Sequence, residues 1–419
     1  MGDIFIYSGV VCLRRYILSV SFWIIPLLAT EITLKPFGYL GLIYNQGVQH
    51  SPHSYVGFDA RVGTDFSFNN GWSFGIGAIG AWNVWNRNKK FQPILSIGNV
   101  LGSVNMQSST RPYLSMGDIS DAYVRYDTKR LKFALGRFNT NFVDFDWIQG
   151  NIQGASLFIH RNDFKYWGVF MDSMLYNGYQ GNDLQGPRIA TGINALASYD
   201  PVSKKMYVGG EVVALGMGYE HKGFKISPFF LADSKLPMTN TALIQVGFKF
   251  QYYTKLPKGF QSHTIVHGIY QHGNTDATRY NDQAGLFMID QTFLYKILNF
   301  GLGFYAVPAP NQKGFFWSFN DKTKFYGRGI NSIGVPAIYF ANATMTGYLF
   351  GGLKTKRVRM DAMVAFGDYQ EYSLMTNYKI WQSKQMALDA GIGYVYSYSS
   401  KVKSNIGNSS LVLFTKFSY

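Results

Sequence analysis

The sequence predicts an all-β chain, a transmembrane antiparallel up-and-down β-barrel of about 18 strands. Three observations predict it. Apolar and polar residues alternate with period two through most of the chain. The connections between these alternating segments are short and long in turn. After Thr30 no uninterrupted apolar run reaches the roughly twenty residues that a membrane helix needs, although 47% of the 419 residues are hydrophobic and 17% aromatic. The mean hydropathy is −0.06, which suits a wall with lipid on one side and water on the other. The abundance of Gly (45), Tyr (30) and Phe (34) suits curved strands with interfacial aromatics.

The N-terminus reads as an export signal. Arg14 and Arg15 precede an uncharged run over 16–29, too short to span a bilayer as a helix. A basic pair, a short apolar core and a small residue make a Sec-type signal, with cleavage after Ala29 or Thr30. Residues 1–29 are then removed and 30–419 form one barrel domain. Residues 1–13 are long and apolar for such a leader; an upstream mis-start and a genuine extension both stay open. The single cysteine, Cys12, falls inside the removed segment, so the mature chain would have no disulfide and no thiolate metal site; no cofactor is expected. A lipoprotein reading of Cys12 is disfavoured by Val11 before it and by the apolar run lying after it.

The alternation is explicit in several segments. In one, Phe58, Ala60, Val62, Phe66 and Phe68 take one parity, and Asp59, Arg61, Gly63, Asp65 and Ser67 the other. In another, Ile244, Val246, Phe248, Phe250 and Tyr252 alternate with Gln245, Gly247, Lys249 and Gln251. Strands are expected near 35–44, 55–68, 72–84, 119–127, 131–138, 152–160, 164–172, 206–219, 223–232, 241–253, 262–271, 284–295, 298–307, 344–353, 357–367, 370–380, 385–397 and 409–419. Most reach the roughly 9–11 residues needed to cross with tilt. Short links such as Asn69-Asn70-Gly71 and Lys354-Thr355-Lys356 alternate with the long ones at 85–118, 173–205 and 308–343. A soluble sandwich also alternates, but nothing gathers its long loops at one end; short periplasmic turns and long external loops do that in an outer-membrane barrel. The exception is a very short external link at 368–369.

The formal charge is +15 with a pI near 9.5. Lys and Arg are scattered singly among short strands, without a dense block or basic helix, so nucleic acid is not the expected partner. A basic lumen or contact with anionic head groups accounts for the charge instead. The parity that faces the lumen carries Asp59, Arg61, Asp121, Arg125, Lys132, Lys249, Arg357 and Arg359, which would set the field in a pore. Arg137 shares the parity of lipid-facing Leu135 and fits that set less well.

Other patterns carry little. Gly75-Ile76-Gly77-Ala78-Ile79-Gly80 fits a dinucleotide fingerprint, but Ala81-Trp82-Asn83-Val84-Trp85 continues as strand where a helix must start. Glycine here marks bends of a wall. His263, His267 and His272 are too spread along one strand to converge on a metal. Trp82 and Trp85 suit an interfacial girdle. No nucleophile elbow or Ser/His/Asp grouping is visible, and the chain is not expected to be an enzyme.

In the last strand Leu411, Leu413, Phe417 and Tyr419 share one face. An amphipathic strand with a terminal aromatic resembles the insertion signal, here Phe417 and Tyr419, that the barrel assembly machinery reads. Outer-membrane lipid and lipopolysaccharide are the expected surroundings, small solutes the expected cargo, and monomer or trimer the expected state.

Residues 131–158 read LKFALGRFNTNFVDFDWIQGNIQGASLF. A strand leads into Gly136-Arg137-Phe138, a loop with Asp144 and Asp146 follows, and then Ile152-Gln153-Gly154-Ala155-Ser156-Leu157. This resembles the strand, constriction loop and next strand of OprD-like porins. Lys35-Pro36-Phe37-Gly38-Tyr39-Leu40 and the overall layout are similar to the Hof outer-membrane proteins of Helicobacter. The resemblance implies eighteen strands with an inward-folded third external loop bearing Asp144 and Asp146. It also implies passage of small solutes, often carboxylates or amino acids, along a basic lumen track. Phe138 departs from the Gln usual after Gly-Arg in OprD-like chains, and the prolines that follow there are absent. A surface adhesin or structural barrel with a closed lumen is the alternative, with the three long loops presented outward.

Overall fold

The computed structural model describes residues 31–48, 54–87, 92–94, 104–106, 117–140, 147–148, 150–177, 190–194, 197–200, 205–208, 210–234, 242–273, 283–310, 314, 316–317, 324–326, 340–401 and 408–419. Eighteen antiparallel strands form the wall: β1 Ile32–Gly47, β2 Tyr55–Phe68, β3 Trp72–Asn86, β4 Gly117–Asp127, β5 Leu131–Asn139, β6 Gly150–Arg161, β7 Phe164–Asn177, β8 Val212–His221, β9 Phe224–Asp233, β10 Leu243–Lys255, β11 Phe260–Gly273, β12 Gln283–Tyr295, β13 Leu298–Ala306, β14 Met345–Lys354, β15 Val358–Gly367, β16 Tyr369–Gln382, β17 Ala387–Ser399 and β18 Asn408–Ser418. Each pairs with its chain neighbours, and β18 returns to β1 in register from Tyr39↔Ser418 to Gly47↔Ser410. Gly38 and Tyr419 exchange backbone hydrogen bonds of 3.0 and 3.1 Å to finish the seam. Closure removes every free sheet edge, which a bilayer demands because its core offers no water to unpaired backbone groups. No helix among the described residues is long and apolar enough to cross a membrane; strands do the crossing.

The wall is apolar outside and polar inside. In β10, Ile244, Val246 and Phe248 are 42, 51 and 41% exposed, whereas Gln245 between them is fully buried. The same inversion recurs at Leu349, Val364, Leu374 and Ile392, all exposed, against Asp121, Asp361, Glu371 and Gln271, all buried. A soluble fold would aggregate through so large an apolar surface; lipid covers it here. The period-two rule turns each strand's sequence directly into these two faces.

Turns at one end are tight. Lys222 and Gly223 both have positive φ (47° and 85°), a two-residue turn whose twist matches its flanking strands. At the other end lie the long connections. Two carry small hairpins, Gln92–Ile94 with Val104–Met106 and Ala197–Asp200 with Lys205–Val208, and Ala190–Asn194 pairs with the end of β7. The short external link is a single residue, Asp368, between β15 and β16, with Gly367 at φ 121° making the reversal.

Candidate pore constriction

On the wall made by β2, β3 and β4, charges meet across a glycine strand. Asp65 of β2 is in register with Gly75 of β3, and Gly75 with Tyr123 of β4. A Cβ at Gly75 would collide with the Tyr123 ring. Its absence lets the ring lie across β3 and the hydroxyl donate to Asp65 at 2.6 Å. Asp65 also accepts from Ser67 Oγ (2.5 Å) and Arg125 Nη2 (3.0 Å). Toward the external end, Arg61 donates to Asp121 Oδ2 through Nη2 (2.5 Å) and Nε (3.1 Å), and rests over the Phe37 ring at 4.8 Å. A register shift opposite Gly77 and Ala78 buries both Ser120 and Asp121, so Ser120 Oγ reaches the same carboxylate oxygen at 2.6 Å. Asn151 adds an N–H to the other oxygen at 3.3 Å. Shared this way, the oxygens of both buried carboxylates are met by donors, which offsets the cost of burying them.

The arrangement repeats nearly opposite. Asp290 of β12, Gly303 of β13 and Tyr348 of β14 are in register. A Cβ at Gly303 would strike the Tyr348 ring, whose hydroxyl donates to Asp290 at 3.0 Å. The cation here comes from a loop: Lys324 Nζ lies 2.5 Å from Asp290 and 3.5 Å above the Phe350 ring. Further round, Arg359 and Asp361 pair at 3.4 Å on the inner face of β15.

Two external loops enter the lumen and meet. From the third, between β5 and β6, Trp147 and Ile148 are 3 and 1% exposed. Trp147 Nε1 donates to Gln245 on β10 at 2.9 Å, so the loop has crossed to another part of the wall. From the seventh, between β13 and β14, Phe316, Phe325, Tyr326 and Phe340 are buried. Phe316 and Phe340 contact the Trp147 ring at 5.8 and 6.4 Å. Gln245 ties the loops together, because its Nε2 donates to the Trp317 carbonyl at 2.7 Å. Phe325 packs on Tyr305, Tyr348 and Tyr369, while Tyr326 donates its N–H to Glu371 (2.8 Å) and its hydroxyl to Asp361 (3.2 Å). An inward loop with this aromatic mass narrows the lumen and anchors itself by hydrophobic burial.

The family model of the outer membrane protein family HP_OMP_2 matches residues 56–365, most of the wall. The chain belongs to that family. No curated relative matches it. Among solved structures it is similar to Pseudomonas aeruginosa OccD3 (OpdP), with 11% identity, 93% of each chain covered and a TM-score of 0.64. It is also similar to Acinetobacter baumannii OccAB1, with 10% identity, 93% and 97% covered and a TM-score of 0.61. A third is Pseudomonas aeruginosa OpdK with vanillate, with 9% identity, 92% and 99% covered and a TM-score of 0.60. At these identities the likeness is one of fold, that of a porin-like barrel; the family model places the chain in the bacterial outer membrane.

Within this HP_OMP_2 barrel, Arg61, Asp121, Arg125, Lys132, Lys249 and Arg359 all take the inward parity. Arg61 with Asp121 and Arg125 with Asp65 come together on one wall; Lys132 sits near the short-turn end, 3.5 Å from Asp127. Arg357 lies in the turn ahead of β15, exposed, at the lip and not on the wall. The side chain of Asp59, like Asp144, Asp146 and the Trp82 side chain, lies outside the described residues. Arg137 faces outward at the external end, bonded to the Ile119 carbonyl (2.6 Å) and Gln153 (3.1 Å). Phe417 and Tyr419 have rings 6.3 Å apart on the outer face. Sequence reasoning missed Asp290, Lys324, Gln245 and Trp147. The signal for Asp290 was available: it is the one charged residue of β12 and lies on the inward parity.

Proposed function

We propose that the barrel passes small solutes through a lumen narrowed by its third and seventh external loops, and favours anionic or carboxylate-bearing ones. One observation carries the preference. Asp65 and Asp121 are each saturated by three or more donors, whereas Arg61 commits only Nε and Nη2 to protein partners and its side chain remains 18% exposed. A guanidinium carries five N–H donors, so Arg61 keeps capacity for a passing carboxylate. Lys249 adds positive potential on the same inner face, with Arg357 at its lip; Arg125, Lys132 and Arg359 are paired with acids, and Asp59, two residues from Arg61 on β2, would add a negative charge to the field. The vanillate bound by OpdK, an aromatic carboxylate in a barrel of like fold, supports the same solute class. Asp144 and Asp146 in the third loop would oppose this basic wall and sharpen the field across the constriction.

Reversal potential in planar bilayers under a salt gradient tests the reading. The sign expected is anion-favouring, weakened in Arg61→Gln; a clear cation preference in the native barrel contradicts it. A second reading is a barrel with a closed lumen that acts as an adhesin or a structural element. The burial of Phe316, Phe325 and Phe340 inside the barrel favours closure. Folded protein that never conducts yet binds a surface ligand would select that reading. In either case residues 1–29 serve as the export signal, Phe417 and Tyr419 as the insertion signal for the assembly machinery, and lipopolysaccharide surrounds the external half of a monomer or trimer.

A further inference from the structure

The short-turn end of the barrel is ringed with cations. Six of the eight turns at this end carry Lys or Arg within the turn itself, as in Lys129-Arg130, Lys222, Lys258, Lys296 and Lys356. All of these are exposed. None has an ion-pair partner among the described residues; Lys296 instead lies 5.2 Å from the centre of the Tyr295 ring. Three of the acids nearby are already engaged: Asp127 with Lys132 at 3.5 Å, Glu220 with Lys165 at 2.7 Å and Asp163 with His221 at 3.0 Å. A large share of the chain's excess positive charge is therefore held, uncompensated, at one rim.

We infer that this rim is a collar for anionic phospholipid head groups of the periplasmic leaflet. Two features choose lipid over other anions. The first is depth. Immediately inside the turns, outward-facing rings pair between neighbouring strands: Trp72 with Tyr126 (5.0 Å), Phe224 with Phe250 (5.1 Å) and Phe260 with Tyr295 (4.3 Å). Such rings sit at the membrane interface. The turns are only a few residues long, and a residue advances the chain by about 3.4 Å at most. Their ammonium and guanidinium groups consequently reach the phosphate level and little further. The second is distribution. The cations follow the circumference from the β4–β5 turn to the β16–β17 turn, where Lys384 completes the series. A folded partner would contact one side of such a ring; a lipid annulus contacts all of it. Basic groups at this depth attract anionic lipids, and salt weakens the attraction.

The test uses the full folded barrel in phosphatidylcholine vesicles with trace spin-labelled phosphatidylglycerol or spin-labelled phosphatidylcholine. Electron paramagnetic resonance then reports each lipid's association with the protein surface. A collar gives about a threefold to fivefold preference for phosphatidylglycerol at low salt, falling toward unity near ~1 M salt. The variant Lys129→Gln, Arg130→Gln, Lys258→Gln, Lys296→Gln, Lys356→Gln, Lys384→Gln loses the preference while keeping heat-modifiable mobility, the sign of a folded barrel. The same lysine sites changed to Arg keep it. No preference in the native protein, or an equal preference in the Gln variant, overturns the inference. Binding of soluble peptidoglycan fragments that disappears in the Gln variant, without any lipid preference, assigns the rim to the cell wall and overturns it as well.

Discussion

Tyr123 donates its hydroxyl to Asp65 at 2.6 Å from two strands away, across the bare backbone of Gly75. Asp290 and Tyr348 do the same over Gly303 at 3.0 Å. Each aspartate then holds one cation, Arg125 in the first case and Lys324 in the second. A glycine on the inner face thus serves as a saddle. It lets an aromatic side chain lie flat and carry a polar group to the next strand but one, packing the wall and neutralising an acid together.

Gly75→Val should therefore be far more damaging than a valine at a lipid-facing neighbour such as Ile76. The new side chain displaces the Tyr123 ring and leaves Asp65 short of a donor. A loss of about 2–4 kcal/mol is expected from strain plus an unsatisfied buried carboxylate, read as a lower urea midpoint of the folded band on unheated gels. Ile76→Val should change that midpoint little.

Gln245 holds the third and seventh loops at once. Gln245→Leu leaves the Trp147 N–H and the Trp317 carbonyl buried without this partner, at about 1–3 kcal/mol each. Because the loops and not the wall lose support, the expected readout is local: faster hydrogen exchange at 147–148 and 316–317, with strand amides unchanged. Uniform acceleration through the barrel would contradict it.

At the seam, the Tyr419 ring covers Gly38, where a Cβ would collide with it. Tyr419→Ala keeps the backbone pairing but removes that cover. The fraction that refolds into detergent should fall, and Gly38→Val should lower it further by forcing the last residue out of register. Heat-modifiable mobility measures both.

Acid should loosen one external clasp. Asp368 accepts from the Met345 N–H (3.0 Å) and Ser400 Oγ (3.0 Å) and pairs with Lys401 (3.2 Å). Partial burial alone would raise its pKa, but these donors outweigh burial and hold the carboxyl below the usual range. Its contribution is therefore present above the ordinary carboxylate pKa of about 3.9 and is lost as pH falls through the lowered value. The stability difference between native protein and Asp368→Asn should be constant from pH 7 to near pH 5 and vanish at strongly acid pH. A difference that grows on acidification would contradict the assignment.

The wall was legible because its grammar is local. Period two places Val246 and Phe248 outside and Gln245 and Lys249 inside whatever their neighbours are, and the last strand sorts Leu413 from Val412 by the same rule. Short turns were legible from their residues, down to Asn69-Asn70-Gly71. What escaped depended on partners far off in sequence. Gly75 and Gly77 looked like an isolated glycine pattern until register set them against Tyr123 and Asp121. The loop at 308–343 was as readily an external display as an internal filling, since aromatic residues without periodicity do not say which way they fold. Its buried phenylalanines, and Lys324 on Asp290, follow from the space the closed wall leaves. Arg357 was drawn onto the wall by parity, although the strand begins one residue later.

Single-channel recording of the purified, folded barrel in planar bilayers, with Trp147→Ala beside the native protein, bears most directly on the claim that the wall encloses a passage narrowed by two inward loops. Discrete conductance steps are predicted for the native barrel, with larger steps in Trp147→Ala as the third loop leaves the lumen. Bilayers that stay sealed with both proteins, under conditions where both run as folded barrels, would contradict it.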